Sequence, residues 1–474
     1  MGIVLFGPGL AIETVTDFPL WASILAVASS AIVYTAAGGL RAVVWTDVFQ
    51  MFIMLLGIFS VMIKTTVDVG GFKKVFDIAR DGDRLIMPSF DPDPTVRNTF
   101  WSLVVGSSIS LQYLLTTQTT VQRICSVPTV RDARKVIIIS TLATVMNYVL
   151  SCLLGLFVYA YFHETRCDPI ASKTIKNPNQ ILPLLVVTIF HDLPGLSGVF
   201  VAALLSASLS SISSVLSSLS AQTVEDIVKP MVKDLSESRA TLIAKIAVFI
   251  YGFIGIAISF MIANIKGPLT QITVSMLSSF GGACSGMFLF AAFCPWANYK
   301  GTIVGGITGM TLVLWISLGK SFSTTLAPPP RLPPAPVDMC LNTTHNREDM
   351  MTSLGSVHNV TDYPNNNTYI TEHSHNHGLD VLYSISYFWM TPLTILVTFI
   401  LGTIVSVLSG RPNPSEVDVK YLLPFFDYCF PCLPERLKNV LHCGADFGKS
   451  KMKLERAEIK IESEILAFAT EELD

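Results

Sequence analysis

Residues 193–224 read LPGLSGVFVAALLSASLSSISSVLSSLSAQTV, a stretch that contains no charged side chain. A helix needs about 20 mostly apolar residues to cross the hydrocarbon core of a bilayer. Long charge-free runs recur along the chain at 18–40, 48–63, 98–122, 136–163, 193–224, 246–265, 267–299, 301–319 and 381–410. Their length, and the absence of strand-type alternation, indicate membrane-spanning helices rather than the strands of a barrel.

The composition of the whole chain agrees with this interpretation. The 474 residues are 51% hydrophobic and only 14% charged, and the mean hydropathy is +0.54. Soluble domains are about 25% charged, so an ordinary soluble enzyme is excluded, as is a disordered chain. A net charge of −3 leaves no basic face for nucleic acid. We therefore predict an all-α polytopic membrane protein, in contact with lipid.

The basic residues predict the orientation. Lys and Arg are concentrated in the connection 122–136, in the loop around 229–239 and beyond residue 410. Because cytoplasmic loops carry the excess of positive charge, we place these segments, and with them the C-terminus, in the cytoplasm. The loop 321–380 then faces outward. It contains three sequons, which predict N-glycosylation at Asn342, Asn359 and Asn366.

Two further features depend on this orientation. Cys167 and Cys340 both fall on the predicted outer side, where an oxidising environment would permit a disulfide; free thiols are the alternative.

In the tail, Leu454, Ala457, Ile461, Ile465 and Phe468 form an apolar stripe among charges. This pattern indicates an amphipathic cytosolic helix, either solvated or bound to a cytosolic partner.

Hydroxyl groups are the polar chemistry of the predicted spans. Nine of the 15 residues from Ser206 to Ser220 are serine. Most of these hydroxyls should bond to carbonyls one turn earlier in the same helix. However, Ala207, Ser210 and Ser211 are three and four residues apart on one helix face, and hard cations such as sodium prefer oxygen ligands. A cation held by neutral ligands would favour an anionic substrate nearby.

Charged groups suited to a proton relay or to hydrolysis are missing from the charge-free runs, which disfavours an enzyme.

Several motifs resemble those of the sodium:solute symporter family. They are YTAAGGLRAVVWTDVFQ at 34–50, QTTVQR at 118–123, TVEDIVKP at 223–230 and FGG at 280–282. With the CDP loop at 167–169, they look most like the branch that carries iodide, monocarboxylates and vitamins. The resemblance implies a LeuT-like inverted-repeat helix bundle, five helices plus five, with a midplane site between broken helices. It places Met1 inside the third core helix, so the first helices have no counterpart in this sequence.

The resemblance also implies roles for particular residues. Ala207, Ser210 and Ser211 match sodium ligands, and Ser110, Gln112 and Tyr113 match positions that face substrate or form the inner gate. Asp47 matches an acidic residue on the ion exit path at the cytoplasmic mouth, although a simple interfacial cap is an equal alternative.

The chain is accordingly divided into a transmembrane symporter core at 1–320, a glycosylated extracellular loop at 321–380, a final transmembrane helix at 381–410 and a cytosolic tail at 411–474. The predicted function is sodium-coupled import of a small organic anion across the plasma membrane, with a monocarboxylate or a vitamin such as biotin or pantothenate as the substrate. Two alternatives are a non-transporting membrane protein of the same fold, truncated or regulatory, and a multi-pass membrane enzyme.

Overall fold

A computed structural model describes residues 1–16, 18–96, 98–111, 116–175, 177–193, 195–232, 235–263, 269–322, 332–340, 379–410, 412 and 422–423. Within these ranges the ordered elements are all helices. They are α1 (Gly2–Thr16), α2 (Leu20–Val69), α3 (Phe72–Asp81), α4 (Trp101–Leu111), α5 (Gln118–Ile124), α6 (Val130–Glu164), α7 (Pro178–Ile189), α8 (Leu196–Met231), α9 (Glu237–Ala263), α10 (Leu269–Phe293), α11 (Tyr299–Phe322), α12 (Leu379–Ser384) and α13 (Tyr387–Leu408).

Eight helical segments among the described residues are long and apolar enough to cross a membrane. They are Leu20–Gly39, Ala42–Val69, Val130–Glu164, Leu196–Met231, Glu237–Ala263, Thr273–Phe293, Tyr299–Lys320 and Tyr387–Leu408. The prediction of an all-α, multi-pass membrane protein is therefore confirmed. Each segment corresponds to one of the charge-free runs, and several extend beyond it because charged residues at the ends of a span can still be helical.

The run at 98–122 is the exception: residues 112–115 lie outside the described residues, so one span there stays a prediction. The described residues form two short helices, α4 and α5, and Thr117 lies outside both of them. The first six residues of α4, Trp101–Gly106, form a π-helix. Hydropathy does not detect such a break, because a broken helix can be as apolar as a continuous one.

Helix α2 contains two spans that are separated by a sharp break at Gly39. The backbone of Gly39 has φ 62° and ψ −169°, a combination that is essentially restricted to glycine. The second span begins immediately after this break and includes Asp47. The GG pair at 38–39 thus sets the direction from which Asp47 approaches its neighbours.

The described chain divides into two compact units. The first comprises the described residues within 1–87 and 118–273 together with 332–340, and α2 packs extensively on α8 within it. The second comprises the described residues within 88–117 and 274–322 together with 379–410, 412 and 422–423, and its main contact is between α11 and α13. Gly301, Gly305 and Gly309 line that contact, where an added Cβ would meet Gly402 or the backbone near Thr394 and Thr398 within 3 Å. Small residues at this spacing let two helices in lipid approach closely.

A proline in α1 explains one contact of the serine-rich helix in the first unit. Pro8 lies inside α1 and has no N–H to donate to the carbonyl of Val4, one turn earlier. The Ser208 hydroxyl donates to this carbonyl instead, at 2.6 Å. The two helices are therefore joined at the point where α1 is missing a backbone hydrogen bond.

We expect Ser208→Ala to lower the free energy of unfolding by about 0.6–1.7 kcal/mol, the range for hydrogen bonds between helices in membranes. Thermal unfolding in detergent would measure the change. Ser60→Ala is the matched control, because Ser60 donates to the Gly57 carbonyl of its own helix. Equal melting temperatures for the two variants would show that the contact with Val4 contributes nothing to stability.

Candidate functional site

The serine-rich helix α8 presents one hydroxyl directly to a carboxylate on α2. The Ser210 Oγ donates to Asp47 Oδ1 at 2.6 Å. The Asp47 side chain is only 13% exposed, so its charge is held largely within the packed helices of the first unit. The structure thus brings together two of the residues that the sequence singled out, although they are far apart along the chain.

Ser211 and Ala207 are joined to each other within α8. The exposed Ser211 hydroxyl donates to the Ala207 carbonyl at 3.1 Å. Ser213 and Ser220 likewise donate to carbonyls of the same helix, those of Ser210 and Ser217. These three serines therefore form the bonds that we expected of most serines in this helix, to carbonyls one turn earlier. The Ala207 carbonyl, which lies inside the helix, also accepts the backbone N–H of Ser211, so both of its lone pairs are in use.

A third group, Arg123 of α5, completes the cluster and was not among the predicted site residues. Its Nη2 donates to Asp47 Oδ2 and also to the Ser214 hydroxyl, the latter at 2.6 Å. In the sequence, Arg123 stands out as a basic residue of a cytoplasmic loop and as the last residue of the QTTVQR motif, but nothing there marks it as part of a site.

An open cleft lies beside this cluster, at the break in α2. Its volume is about 480 Å³, and it is lined by Tyr34, Ala37, Gly38, Ala42, Thr46, Gln50 and Leu209. The Tyr34 hydroxyl donates to the Leu209 carbonyl at 2.9 Å. Gln50 is 9% exposed, and its Oε1 has no hydrogen-bond partner among the described residues. Gln50 lines the cleft, but its amide oxygen is buried, one turn of helix from Asp47.

The predicted substrate and gate residues are only partly described. Ser110 lies in the second unit, where its hydroxyl donates to the Phe388 carbonyl at 3.3 Å. Gln112 and Tyr113 lie outside the described residues, as do Asn342, Asn359 and Asn366 and the apolar stripe of the tail. Their roles remain predictions.

Cys167 and Cys340 form a disulfide in the structure, with their Cα atoms 4.9 Å apart. We call residues 332–340 the outer segment. It is also held by an ion pair between Arg166 and Asp338 at 2.7 Å and by a bond from the Ala335 N–H to Asp168 Oδ2 at 3.0 Å. The hydrogen bond from Arg166 keeps the pKa of Asp338 below its usual value. Both side chains of the ion pair are about half exposed, so solvent screens it and it adds little stability.

Comparison with known proteins agrees with the fold and the motifs. The sequence profile of the sodium:solute symporter family matches residues 1–309. The human sodium-coupled monocarboxylate transporter 1 is 34% identical over 90% of this chain and 68% of its own length. The sodium-dependent multivitamin transporter of Oryctolagus cuniculus is 33% identical over 94% and 67%, and the human sodium/iodide cotransporter is 32% identical over 88% and 64%.

The fold is shared with a solved transporter. A Na⁺-coupled sialic acid symporter, solved in a substrate-bound outward-open state, aligns with a TM-score of 0.60 over 87% of this chain and 72% of that chain, at 19% identity. The helical bundle is therefore of the LeuT-like type, as the motifs implied.

These features define a sodium-coupled transporter of small solutes rather than an enzyme. The chain belongs to the sodium:solute symporter family. Sodium is the co-transported ion of this class.

Proposed function

We propose that this protein uses the sodium gradient to import a small organic anion across the plasma membrane. The proposed substrate is a monocarboxylate or a vitamin such as biotin or pantothenate, the solute classes carried by the branch that the motifs resemble. Two relatives, a sodium-coupled monocarboxylate transporter and a sodium-dependent multivitamin transporter, support this choice. A membrane potential adds about 2.3 kcal/mol per 100 mV for each net positive charge that moves inward, so it contributes when more than one sodium ion accompanies each anion.

The observation that carries the proposal is the hydrogen bond from Ser210 to Asp47. A hydroxyl that donates its proton to a carboxylate has a more negative oxygen, and its lone pairs remain free for a cation. Ser210 can therefore serve as a sodium ligand while Asp47 polarises it, as the second shell of a metal site does. The Ser211 hydroxyl and the Ala207 carbonyl would supply two more oxygens if the hydroxyl turned away from that carbonyl, to which it now donates at 3.1 Å.

Asp47 and the cleft suggest a route by which the ion leaves. Asp47 lies between Thr46 and Gln50, two residues of α2 that line the cleft. A cation that leaves the α8 oxygens would next meet these side chains. This supports the assignment of Asp47 to the ion exit path over a simple interfacial cap.

The proposed topology has the C-terminus in the cytoplasm and the segment 321–380 outside. The Cys167–Cys340 disulfide supports this orientation, because such bonds persist in oxidising compartments. The four proposed parts remain the core at 1–320, the glycosylated loop, the final helix at 381–410 and the tail, which carries the proposed partner-binding helix.

Uptake by the purified full chain in proteoliposomes tests the function. Radiolabelled butyrate, pantothenate, biotin and iodide would each be offered with an inward sodium gradient and with an equal gradient of choline. We expect sodium-dependent accumulation of at least one organic anion, above that of iodide. Equal uptake in sodium and choline would contradict sodium coupling. If the correctly folded chain accumulated no solute at all, the non-transporting alternative would replace this proposal.

A further inference from the structure

Arg123 lies next to the proposed sodium site, at a position where the negative charge of Asp47 would attract a cation from solution. Its Nη2 bonds to Asp47 Oδ2, while the other carboxylate oxygen of Asp47 accepts from Ser210. Both oxygens of Asp47 are therefore in use, one on each side. The guanidinium comes from α5, whereas the carboxylate and the serine come from α2 and α8.

The ion pair has an electrostatic consequence for sodium. A buried, unpaired carboxylate is costly, and a positive partner removes most of that cost. The same partner cancels the negative potential that Asp47 would otherwise create at Ser210. Sodium arriving at Ser210 therefore meets a neutral pair rather than a free negative charge.

We propose that Arg123 neutralises Asp47 and so weakens the attraction of this carboxylate for sodium at Ser210. Sodium binding thereby stays weak enough for the ion to be released. The inference rests on the proposed sodium site at Ala207, Ser210 and Ser211. Arg123 acts through Asp47 and does not touch the ion, so it is a positioning residue.

The surroundings of Arg123 allow it to act in this way. The side chain is 41% exposed, against 13% for Asp47, so the guanidinium can withdraw toward solvent at little cost while the carboxylate stays in place. The Ser214 hydroxyl, 2.6 Å from the same nitrogen, offers an alternative acceptor one turn of α8 beyond Ser210. When sodium binds, Arg123 can loosen from Asp47 and keep its bond to Ser214; when sodium leaves, the ion pair forms again.

The test is sodium-dependent uptake by the full chain with Arg123→Gln, which removes the charge and retains an amide donor. We expect the half-saturating sodium concentration to fall roughly three- to tenfold, because Asp47 is no longer neutralised. The maximal rate should fall as well, since release becomes slower. Arg123→Lys, which keeps the charge, should stay near the original sodium dependence.

Two controls separate this effect from loss of structure. Lys135→Gln removes a basic residue that pairs with Asp132 at an exposed position, and it should change neither parameter. The double variant Asp47→Asn with Arg123→Gln removes both charges, and it should lose the gain in sodium affinity. Such non-additivity is expected only when two residues act on each other.

The outcomes distinguish the two proposals. An unchanged or higher half-saturating sodium concentration in folded Arg123→Gln protein, with Ser210→Ala strongly impaired, would overturn the role of Arg123 and leave the sodium site intact. If Ser210→Ala retained normal sodium dependence, the site itself would fail. If Arg123→Gln did not fold, the test would pass to Arg123→Lys and the double variant. Both are expected to keep a half-saturating sodium concentration near the original one, and a clear shift in either folded variant would overturn the proposal.

Discussion

Ser210→Ala is expected to reduce sodium-driven uptake at physiological sodium to near background. The substitution removes a proposed oxygen ligand and also leaves Asp47 Oδ1 without the hydroxyl that donates to it at 2.6 Å. Loss of a partner in the second shell alone typically weakens metal binding 10- to 100-fold. We therefore expect the half-saturating sodium concentration to rise on the order of tenfold or more. Sodium titration of uptake measures it.

Ser220→Ala is the matched control for this experiment. Ser220 is a buried serine of the same helix, and its hydroxyl donates to the Ser217 carbonyl of that helix. Its removal should leave sodium dependence unchanged, because no other element contacts that hydroxyl through a bond that the structure shows. Similar sodium titrations for both variants would rule out a special role for Ser210.

Gly39→Ala is expected to destabilise the protein by about 1–3 kcal/mol, the cost of placing a side chain in a backbone region essentially reserved for glycine. The substitution should also impair uptake. The break at Gly39 separates the two spans of α2 and directs the second, which carries Asp47, against α8. A straighter α2 would move the carboxylate away from Ser210. Thermal unfolding and sodium-dependent uptake would be measured on the same preparation.

The control for this prediction is Gly155→Ala in α6. An added Cβ at Gly155 meets nothing within 4 Å, and Gly155 has no positive φ. Alanine there should be neutral or slightly stabilising, because it reduces the freedom of the unfolded chain. If both alanine variants melted at the same temperature as the original protein, the conformation of Gly39 would not be a constraint.

Charge patterning was sufficient to predict the class of fold. A span must exclude charge along its whole length, so a run such as 193–224 identifies a membrane helix without any knowledge of its neighbours. The ends of the helices and the breaks within them were harder to predict from the sequence. Nothing in the uncharged sequence 107–117 marks the bend at Thr117, because uncharged side chains are compatible with helix and with irregular backbone alike. The GG pair at 38–39 was visible, but two glycines do not reveal which one adopts a positive φ.

The site was predicted only in part, for a different physical reason. Helical spacing placed Ala207, Ser210 and Ser211 on one face, and spacing is a local property. The partners of these residues come from other helices: Asp47 lies 163 positions from Ser210, and Arg123 lies 76 positions from Asp47. The charge of Arg123 could be counted from the sequence, but its pairing depends on how α2, α5 and α8 pack. The same holds for Ser208. Its acceptor, the Val4 carbonyl, lies in another helix and lacks a backbone donor because of Pro8.

The disulfide of the outer segment constrains how the protein is made. Cys167 and Cys340 are 173 residues apart, and a ribosome adds about 5–20 residues per second. The first cysteine must therefore wait roughly 10–35 s as a thiol before its partner is synthesised. Throughout that interval it is open to wrong partners and to isomerases. Closure can occur only after α11 has been translated, so a chain that terminates before residue 340 lacks the partner of Cys167.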